Sequence, residues 1–152
     1  MTPELIKFNQ IIIDFIEAVK AFPVDKKSEI IFDKWSLSEI LAHLSGWNLQ
    51  TILVLQNLKK NKLSAWGLSV KNMNLKSVND RANLSWGEIY KEFIESSKNL
   101  VFEYSTLSLE LWSKNMFITK KYTPFRFLQI DTNHYQEHLE FLLSKSGLRR
   151  LK

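Results

Sequence analysis

The chain contains no cysteine, and this absence removes several kinds of chemistry at once. Without a thiol there is no disulfide, no cysteine nucleophile and no cysteine-ligated metal site. Any thiol chemistry would therefore depend on a thiol carried by a cofactor or substrate. A chain without disulfides also suits a reducing compartment, and we expect a cytoplasmic protein.

Glycine and proline are scarce, with 4 and 3 residues in a chain of 152. With 45% hydrophobic and 24% charged residues, this composition indicates a compact, mostly helical protein. The length is enough for a domain that buries its own core, so we expect one domain over residues 1–152. The few glycines form neither a phosphate-cradling loop nor a nucleophile elbow, which argues against a P-loop and against a Ser-His-Asp triad.

Long apolar runs are missing as well, since no segment approaches the roughly 20 residues that span a membrane. The N-terminus carries Glu4 early and has no continuous apolar core, which is unlike a signal peptide. The formal net charge is +5, but the basic residues are scattered, with small clusters at 59–62, 120–121 and 149–152. Such scatter is typical of a solvated surface. We therefore expect neither a membrane nor a nucleic acid as partner.

Hydrophobic periodicity and capping signals predict four long helices. The predicted helices cover residues 3–20, 37–58, 86–104 and 124–146. A proline in the first turn opens the first and the last of them, and a Ser-x-x-Glu capping box opens the two in between. The polar connection at 59–84 is longer than an ordinary loop between helices, so it is either functional or a crossover along the bundle. The chain is thus predicted to be all-α and to form a four-helix bundle.

The chain has only three histidines, and two of them, His134 and His138, lie four residues apart on the last predicted helix. This spacing places both imidazoles on one helix face, about one turn apart. Neutral imidazole is a favoured ligand for zinc, nickel, copper and iron. A helical histidine pair is often incidental, so a metal site depends on whether the fold brings in His43 from the second helix.

Four further residues are candidates for the same site. Asp131, one turn before the histidine pair, could orient a ligand histidine or an incoming water, or could be a solvated surface acid. Trp47, one turn after the histidine of the second helix, could line a pocket or simply fill the core. Arg81 and Arg126 could bind a carboxylate-bearing cofactor through bidentate hydrogen bonds, or could lie on the surface.

Three segments of the chain resemble the DinB-like (DinB/YfiT) superfamily of four-helix bundles. WSLSEILAHLSGW at residues 35–47 resembles the signature of its second helix. DTNHYQEH at 131–138 is similar to its motif on the fourth helix, and residues 79–89 look like its entry into the third. The resemblance covers most of the chain, and its specificity depends on the two histidine-bearing segments.

This resemblance implies an up-down-down-up bundle with a crossover between the second and third helices, and often a homodimer. It also implies a divalent metal (zinc, nickel, iron or manganese) ligated by His43, His134 and His138. Three nitrogen ligands leave a position open for water, thiol or substrate. Characterised members include S-transferases that use bacillithiol, mycothiol or glutathione, and a thiol-dependent maleylpyruvate isomerase. The resemblance therefore implies a stress-response S-transferase or isomerase with a low-molecular-weight thiol as cofactor and a small electrophile as substrate.

A second family is a near relative by the same resemblance. The family of the colibactin self-protection protein shares the bundle and its tryptophan-rich helix ends, and the Leu-Ser-Gly-Trp at residues 44–47 fits it too. That branch implies a metal-free protective hydrolase acting on a reactive cyclopropane, or a stress-related binding protein. The complete set of three histidines favours the metal-binding branch.

Overall fold

In a computed structural model, the described part of the chain forms five α-helices and two short 3₁₀ turns. The structure describes residues 1–30, 32, 34–67 and 69–146, apart from the side chains of Val24 and Ser146. The helices are α1 (Pro3–Ala21), α2 (Leu37–Lys59), α3 (Val70–Asn79), α4 (Trp86–Ser105) and α5 (Pro124–Ser146). The four predicted helices are confirmed to within one residue at each end, and α3 is an addition to them. The basic cluster at 149–152 lies outside the described residues.

Local capping determines where the long helices begin. The hydroxyl of Thr2 accepts a hydrogen bond at the start of α1. At the start of α2, the backbone N–H of Glu39 donates to Ser36 Oγ at 3.2 Å, and the backbone N–H of Ser36 donates to Glu39 Oε1 at 3.1 Å. Ser85 and Glu88 repeat this capping box at α4. Because each box satisfies two N–H groups that have no partner within the helix, both helix starts follow from a few neighbouring residues.

Side-chain contacts show that α2 and α4 run in the same direction. Asn48 on α2 donates to Ser96 on α4 at 3.1 Å. Eleven residues further along α2, Lys59 donates to Glu103 at 2.6 Å. The partners advance together along both helices, so α2 and α4 are parallel. A parallel pair of consecutive long helices needs a connection that returns along the bundle.

The helix α4 runs antiparallel to both α5 and α1, which completes the topology. Along α4, Ser97 contacts Tyr135 of α5 at 3.4 Å, whereas the later residue Tyr104 donates to the earlier Asp131 at 2.6 Å. Between α1 and α4, the earlier residue Phe8 contacts the later Tyr104, and the later residue Phe15 contacts the earlier Phe93, so this pair is antiparallel too. The order is therefore up-down-down-up for α1, α2, α4 and α5, as the resemblance implies, and the crossover between α2 and α4 contains α3.

α3 packs closely against α2. A Cβ atom on Gly46 of α2 would lie 2.0 Å from Oγ of Ser77 on α3, so no larger side chain fits between the two backbones. One residue later, the indole Nε1 of Trp47 donates to Asn74 Oδ1 at 2.6 Å. These contacts hold α3 over the stretch of α2 that follows His43.

The bundle core centres on aromatic rings from three helices, α1, α4 and α5. The buried ring of Tyr135 contacts Phe8 at 5.6 Å, Phe15 at 6.0 Å and Phe93 at 6.4 Å between centroids. Its hydroxyl donates to the buried Asn48 Oδ1 at 2.7 Å, so the polar atom of this ring is satisfied within the core.

Among the described helices, none is long and apolar enough to cross a membrane.

Candidate metal centre

The fold brings the three histidines together at one point. Nε2 of His134 lies 3.0 Å from Nε2 of His43 and 3.0 Å from Nε2 of His138. The ring centroids are 4.6 to 5.3 Å apart. α5 supplies the pair with i, i+4 spacing, and α2 supplies the third ring from 91 residues away in the sequence.

This convergence fits a metal ion better than it fits hydrogen bonds between the rings. A ring nitrogen carries either one proton or one in-plane lone pair, so Nε2 of His134 cannot bond well to two neighbours at once. Nitrogens about 2.1 Å from a shared ion would lie about 3.0–3.4 Å apart, in agreement with the observed spacing. In the part of the chain that the structure describes, these three side chains are close enough to one another to hold a metal ion.

Burial keeps the three imidazoles uncharged. Desolvation, followed by repulsion from the two other histidines, lowers the pKa of His43 to about 2. Desolvation lowers the pKa of His134 to about 4, and desolvation with the charge of His134 lowers the pKa of His138 to about 3. Neutral rings keep a lone pair available for a cation.

Packing against an indole ring helps to hold the ring of His43 in place. Its Nδ1 is buried and has no hydrogen-bond partner among the described residues. The ring lies against the indole of Trp35 with centroids 5.0 Å apart. Histidine ligands usually donate their second ring N–H to an acceptor, so His43 departs from that pattern.

Asp131 lies beside the histidines and bonds to a different helix. Its Oδ2 accepts a hydrogen bond from the hydroxyl of Tyr104 at 2.6 Å. Burial raises the pKa of Asp131 to about 7, and the hydrogen bond from Tyr104 opposes that rise. The carboxyl lines the same cleft as His134. Because its hydrogen bond goes to α4, its predicted role in orienting a ligand histidine stays a prediction.

A cleft of about 480 Å³ opens beside the histidines. His43 and His134 lie on its polar side, and Trp47 and Trp66 are among its aromatic lining residues. His138 lines a separate groove along α5 and reaches the centre from that side. A small molecule in the cleft can therefore reach the three-histidine centre from the side of His43 and His134.

The structure brings Trp47 to this cleft, as the sequence suggested, but places the two arginines elsewhere. Arg81 is buried in an ion pair with Glu92, and its Nη1 donates to the carbonyl of Ser77 at 2.9 Å. Arg126 is exposed and donates to Gln129 at 3.3 Å. Neither arginine is a lining residue of the cleft in the described structure. Their predicted role in substrate binding stays a prediction.

Several lining residues were missed from the sequence, namely Trp66, Asn74, Tyr122, Phe127 and Glu137. Trp66 had a signal, since it is the one aromatic residue in the polar connection at 59–84. The others carry no pattern that separates them from ordinary helix or loop residues. Only their position beside the histidines marks them.

No protein-family model matches the chain, and no curated protein matches its sequence. The fold matches the crystal structure of the colibactin self-resistance protein ClbS in complex with double-stranded DNA, with a TM-score of 0.80. The match covers 97% of this chain and 95% of that chain at 15% sequence identity. The likeness confirms the predicted all-α bundle. Membership of the DinB-like superfamily stays a prediction.

The expectation that nucleic acid is not a partner is wrong for this fold. It was based on the scatter of basic residues along the sequence. ClbS, which has the same fold, has been crystallised with double-stranded DNA. The physical reason is that residues scattered along a chain can come together on one face after folding, so linear scatter does not determine the surface potential.

Proposed function

We propose that this chain is a protective enzyme that hydrolyses a small electrophile at a divalent metal centre held by His43, His134 and His138. The observation that carries the proposal is the convergence of three neutral imidazoles at 3.0 Å beside a cleft of about 480 Å³. The bundle shared with a self-resistance protein supports the protective role. The single domain, the cytoplasmic location and the dimer are part of the same proposal.

A divalent cation bound there would lower the pKa of a coordinated water molecule towards neutrality. Burial raises the pKa of the Asp131 carboxyl in the adjoining cleft to about 7 in the metal-free protein. A divalent cation nearby would lower that pKa, so the carboxylate would be available as a general base near neutral pH. Water adds to the electrophilic carbon, forming a C–O bond while the bond from that carbon to its leaving atom breaks. Asp131 takes the proton from the water and delivers it to the leaving atom. Tyr104 holds the other carboxyl oxygen in place.

The thiol-dependent S-transferase or isomerase implied by the DinB-like resemblance is a weaker candidate. It requires a low-molecular-weight thiol as co-substrate, whereas the proposed hydrolase requires only water. The solved structure of ClbS, which shares this fold, is that of a self-resistance protein. The two functions therefore predict different products from one electrophile.

The proposal is tested by metal analysis and product analysis on the same protein. Tag-free protein purified without chelator should contain about one equivalent of zinc, nickel, iron or manganese, and the His134→Ala/His138→Ala variant should contain none. An activated cyclopropyl ketone should give a ring-opened product containing water, with or without added glutathione. The Gln129→Ala variant is the matched control, since this exposed side chain lies on the same helix away from the centre.

Each other outcome contradicts a defined part of the proposal. If the protein takes up no metal even after reconstitution, the metal centre is refuted. If hydrolysis persists in chelator, the protein is a protective hydrolase without a metal. If the product contains glutathione, the transferase is correct and the hydrolase is not.

Double-stranded DNA is a second proposed partner. A protein of this fold has been crystallised with it, and this chain has a net charge of +5. Binding through three phosphate contacts should weaken about 40-fold between about 50 and about 200 mM salt. The measurement is a titration of a labelled short duplex at several salt concentrations. An affinity that does not change with salt, or no binding at the lowest salt, would contradict this partner.

A further inference from the structure

Four aromatic rings lie between the cleft and a smaller chamber, and we call Trp66, Phe117, Tyr122 and Phe127 the aromatic wall. Trp66 and Phe127 line both spaces, whereas Tyr122 lines the cleft and Phe117 lines the chamber. Trp66 stacks on Tyr122 with centroids 5.3 Å apart and planes 17° apart. Phe117 meets Trp66 edge-on at 4.9 Å. Phe127 lies 5.4 Å from both Phe117 and Tyr122. Rings from two connections and from the start of α5 thus make one continuous surface.

Hydrogen bonds hold the aromatic wall in place although most of it comes from connections. Ser64 pairs with residues 116–118 through two backbone hydrogen bonds of 2.9 and 3.0 Å. The side chain of Asn115 donates to the carbonyl of Phe117 at 2.6 Å and accepts from the backbone N–H of Tyr122 at 2.9 Å. Folding has therefore already ordered these rings, and a ligand can contact them without a further ordering cost.

A smaller chamber of about 240 Å³ adjoins the cleft. The two spaces share the residues Trp47, Thr51, Trp66, Val70 and Phe127. Met73 of α3 and Val54 of α2 add further apolar surface to the chamber. An apolar cavity of about 150 Å³ is large enough to bind benzene, so this chamber has room for a larger ring system.

The charged groups are distributed unevenly between the two spaces. Lys76 is the charged residue lining the smaller chamber, and it forms an ion pair with Asp80. The cleft beside the histidines carries Asp131 and Glu137 instead. A ligand that fits both spaces therefore has one flat, uncharged end and one polar end.

We propose that the smaller chamber binds an uncharged, planar aromatic or conjugated ring of the substrate, stacked against Trp66. The polar end of the same molecule then points to His43 and His134. The orientation of that reactive end rests on the proposed function. Binding of the ring does not, because the chamber contains none of the three histidines.

Ring binding is tested on chelator-treated protein, so that its outcome is independent of the metal. The probe is 2-naphthol, and the readout is the indole N–H signals of the five tryptophans in a ¹⁵N-labelled sample. The signals of Trp47 and Trp66 should shift on titration, whereas those of Trp86 and Trp112 should not. Decahydro-2-naphthol, the saturated analogue, should bind about 3- to 10-fold more weakly, because it has no π face to stack.

Two variants examine the wall directly. Trp66→Leu keeps an apolar side chain at a position that is 36% exposed, and it should weaken 2-naphthol about 3- to 10-fold. Trp86→Leu is the matched control, since Trp86 also stacks on a tyrosine, Tyr90 at 5.9 Å, but lies outside both spaces. Val70→Asp places a charge on the chamber at the first position of α3, where the helix dipole favours an acid, and should abolish binding. Its control is Asn72→Asp on the same turn.

Three outcomes would overturn the inference: equal binding of the saturated analogue, shifts at Trp86 or Trp112 in place of Trp66, or unchanged affinity in both Trp66→Leu and Val70→Asp. The result also separates the two proposals. Ring binding without hydrolysis by the metal-loaded protein contradicts the proposed function and leaves the chamber intact. Hydrolysis without ring binding contradicts the ring-binding chamber and leaves the proposed function intact.

Discussion

Single residues at the candidate centre are governed by burial more than by direct charge pairing. Desolvation is the largest cause of the lowered pKa of all three histidines and of the raised pKa of Asp131. In each case the uncharged form is favoured, because a low-dielectric surrounding penalises charge of either sign. Burial in the bundle core, which stabilises the fold, therefore also keeps the imidazoles neutral and able to bind a cation. It also raises the pKa of the neighbouring Asp131 carboxyl to about 7 in the metal-free protein.

Replacing Asp131 with asparagine should change how stability depends on pH in the metal-free protein. The pKa of Asp131 is raised from 3.8 to about 7, so between these values the folded state holds a proton that the unfolded state releases. The contribution of Asp131 to the free energy of unfolding should therefore fall as pH rises from about 4 to about 7, by roughly 1.4 kcal/mol per pH unit. It opposes the larger rise that the three histidines cause between about pH 4 and 6.5, where only the unfolded state protonates them. Asp131→Asn should remove this contribution, so that stability rises more steeply with pH than in wild type, as measured by denaturant unfolding in chelator across that range.

The matched control for this prediction is Asp80→Asn. Asp80 is an exposed acid in an ion pair with Lys76, so its replacement should leave the slope in place. An identical pH dependence in wild type and Asp131→Asn would show that Asp131 does not hold the proton.

Asn48 should be a costly residue to truncate, because three buried partners depend on it. Its Nδ2 donates to Ser96 and Ser97, and its Oδ1 accepts from the hydroxyl of Tyr135. Asn48→Ala removes these three bonds, leaving Ser96 bonded to the carbonyl of Phe93 and Ser97 to the hydroxyl of Tyr135. It should cost about 1–3 kcal/mol of unfolding free energy, measured in denaturant. Tyr135→Phe should relieve part of that cost in the double variant. Strictly additive losses would argue against a coupled network.

Among the elements, α3 was missed from the sequence for a physical reason. Ser77 is its one buried residue in the described structure, so α3 has no apolar stripe with helical periodicity. Its start is capped by Ser69, which accepts from the backbone N–H of Asn72 at 3.2 Å. Contact with α2, rather than burial of a hydrophobic face, keeps this helix in place.

Gly46→Ala should displace α3 from α2. The new Cβ would lie 2.0 Å from Ser77 Oγ, an overlap that costs about 1–3 kcal/mol. Alanine gains roughly 1 kcal/mol over glycine in a helix, so we expect a net loss of about 0–2 kcal/mol in unfolding free energy. The indole N–H signal of Trp47 should move as its bond to Asn74 weakens.

The compensating variant is Gly46→Ala/Ser77→Gly, which removes the side chain that the new methyl group meets. It should restore the indole signal, although glycine within α3 keeps stability below wild type. A single Gly46→Ala variant with a native spectrum and native stability would show that α3 is not held by this contact.

For the whole molecule, metal binding should appear as a gain in stability. A ligand at about 100 times its dissociation constant adds about 2.7 kcal/mol, equivalent to a rise in Tm of roughly 5–10 °C for a protein of this size. Zinc should produce this rise in wild type and not in His134→Ala/His138→Ala. Magnesium is the control ion, because it prefers oxygen ligands and should produce no rise. Equal shifts in both proteins would place the zinc elsewhere.

Predictability differed between the elements and the site. The starts of α2 and α4 follow from capping boxes that span four residues each, and the apolar periodicity carries each helix to its end. The i, i+4 spacing of His134 and His138 was sufficient to place both on one face of α5. Their contact with His43 was an implication of the resemblance and was not contained in the spacing.

What the sequence determined by itself was therefore local: helix starts and ends, the absence of any cysteine thiol, and a pair of imidazoles on one helix. The tertiary structure decided the rest, because it depends on contacts between residues far apart in the chain. It brought His43 to the pair across 91 residues, bonded Asp131 to Tyr104, and placed Trp66 against Tyr122. Local propensity acts over a few residues, whereas a cleft exists only where several packed elements leave space between them.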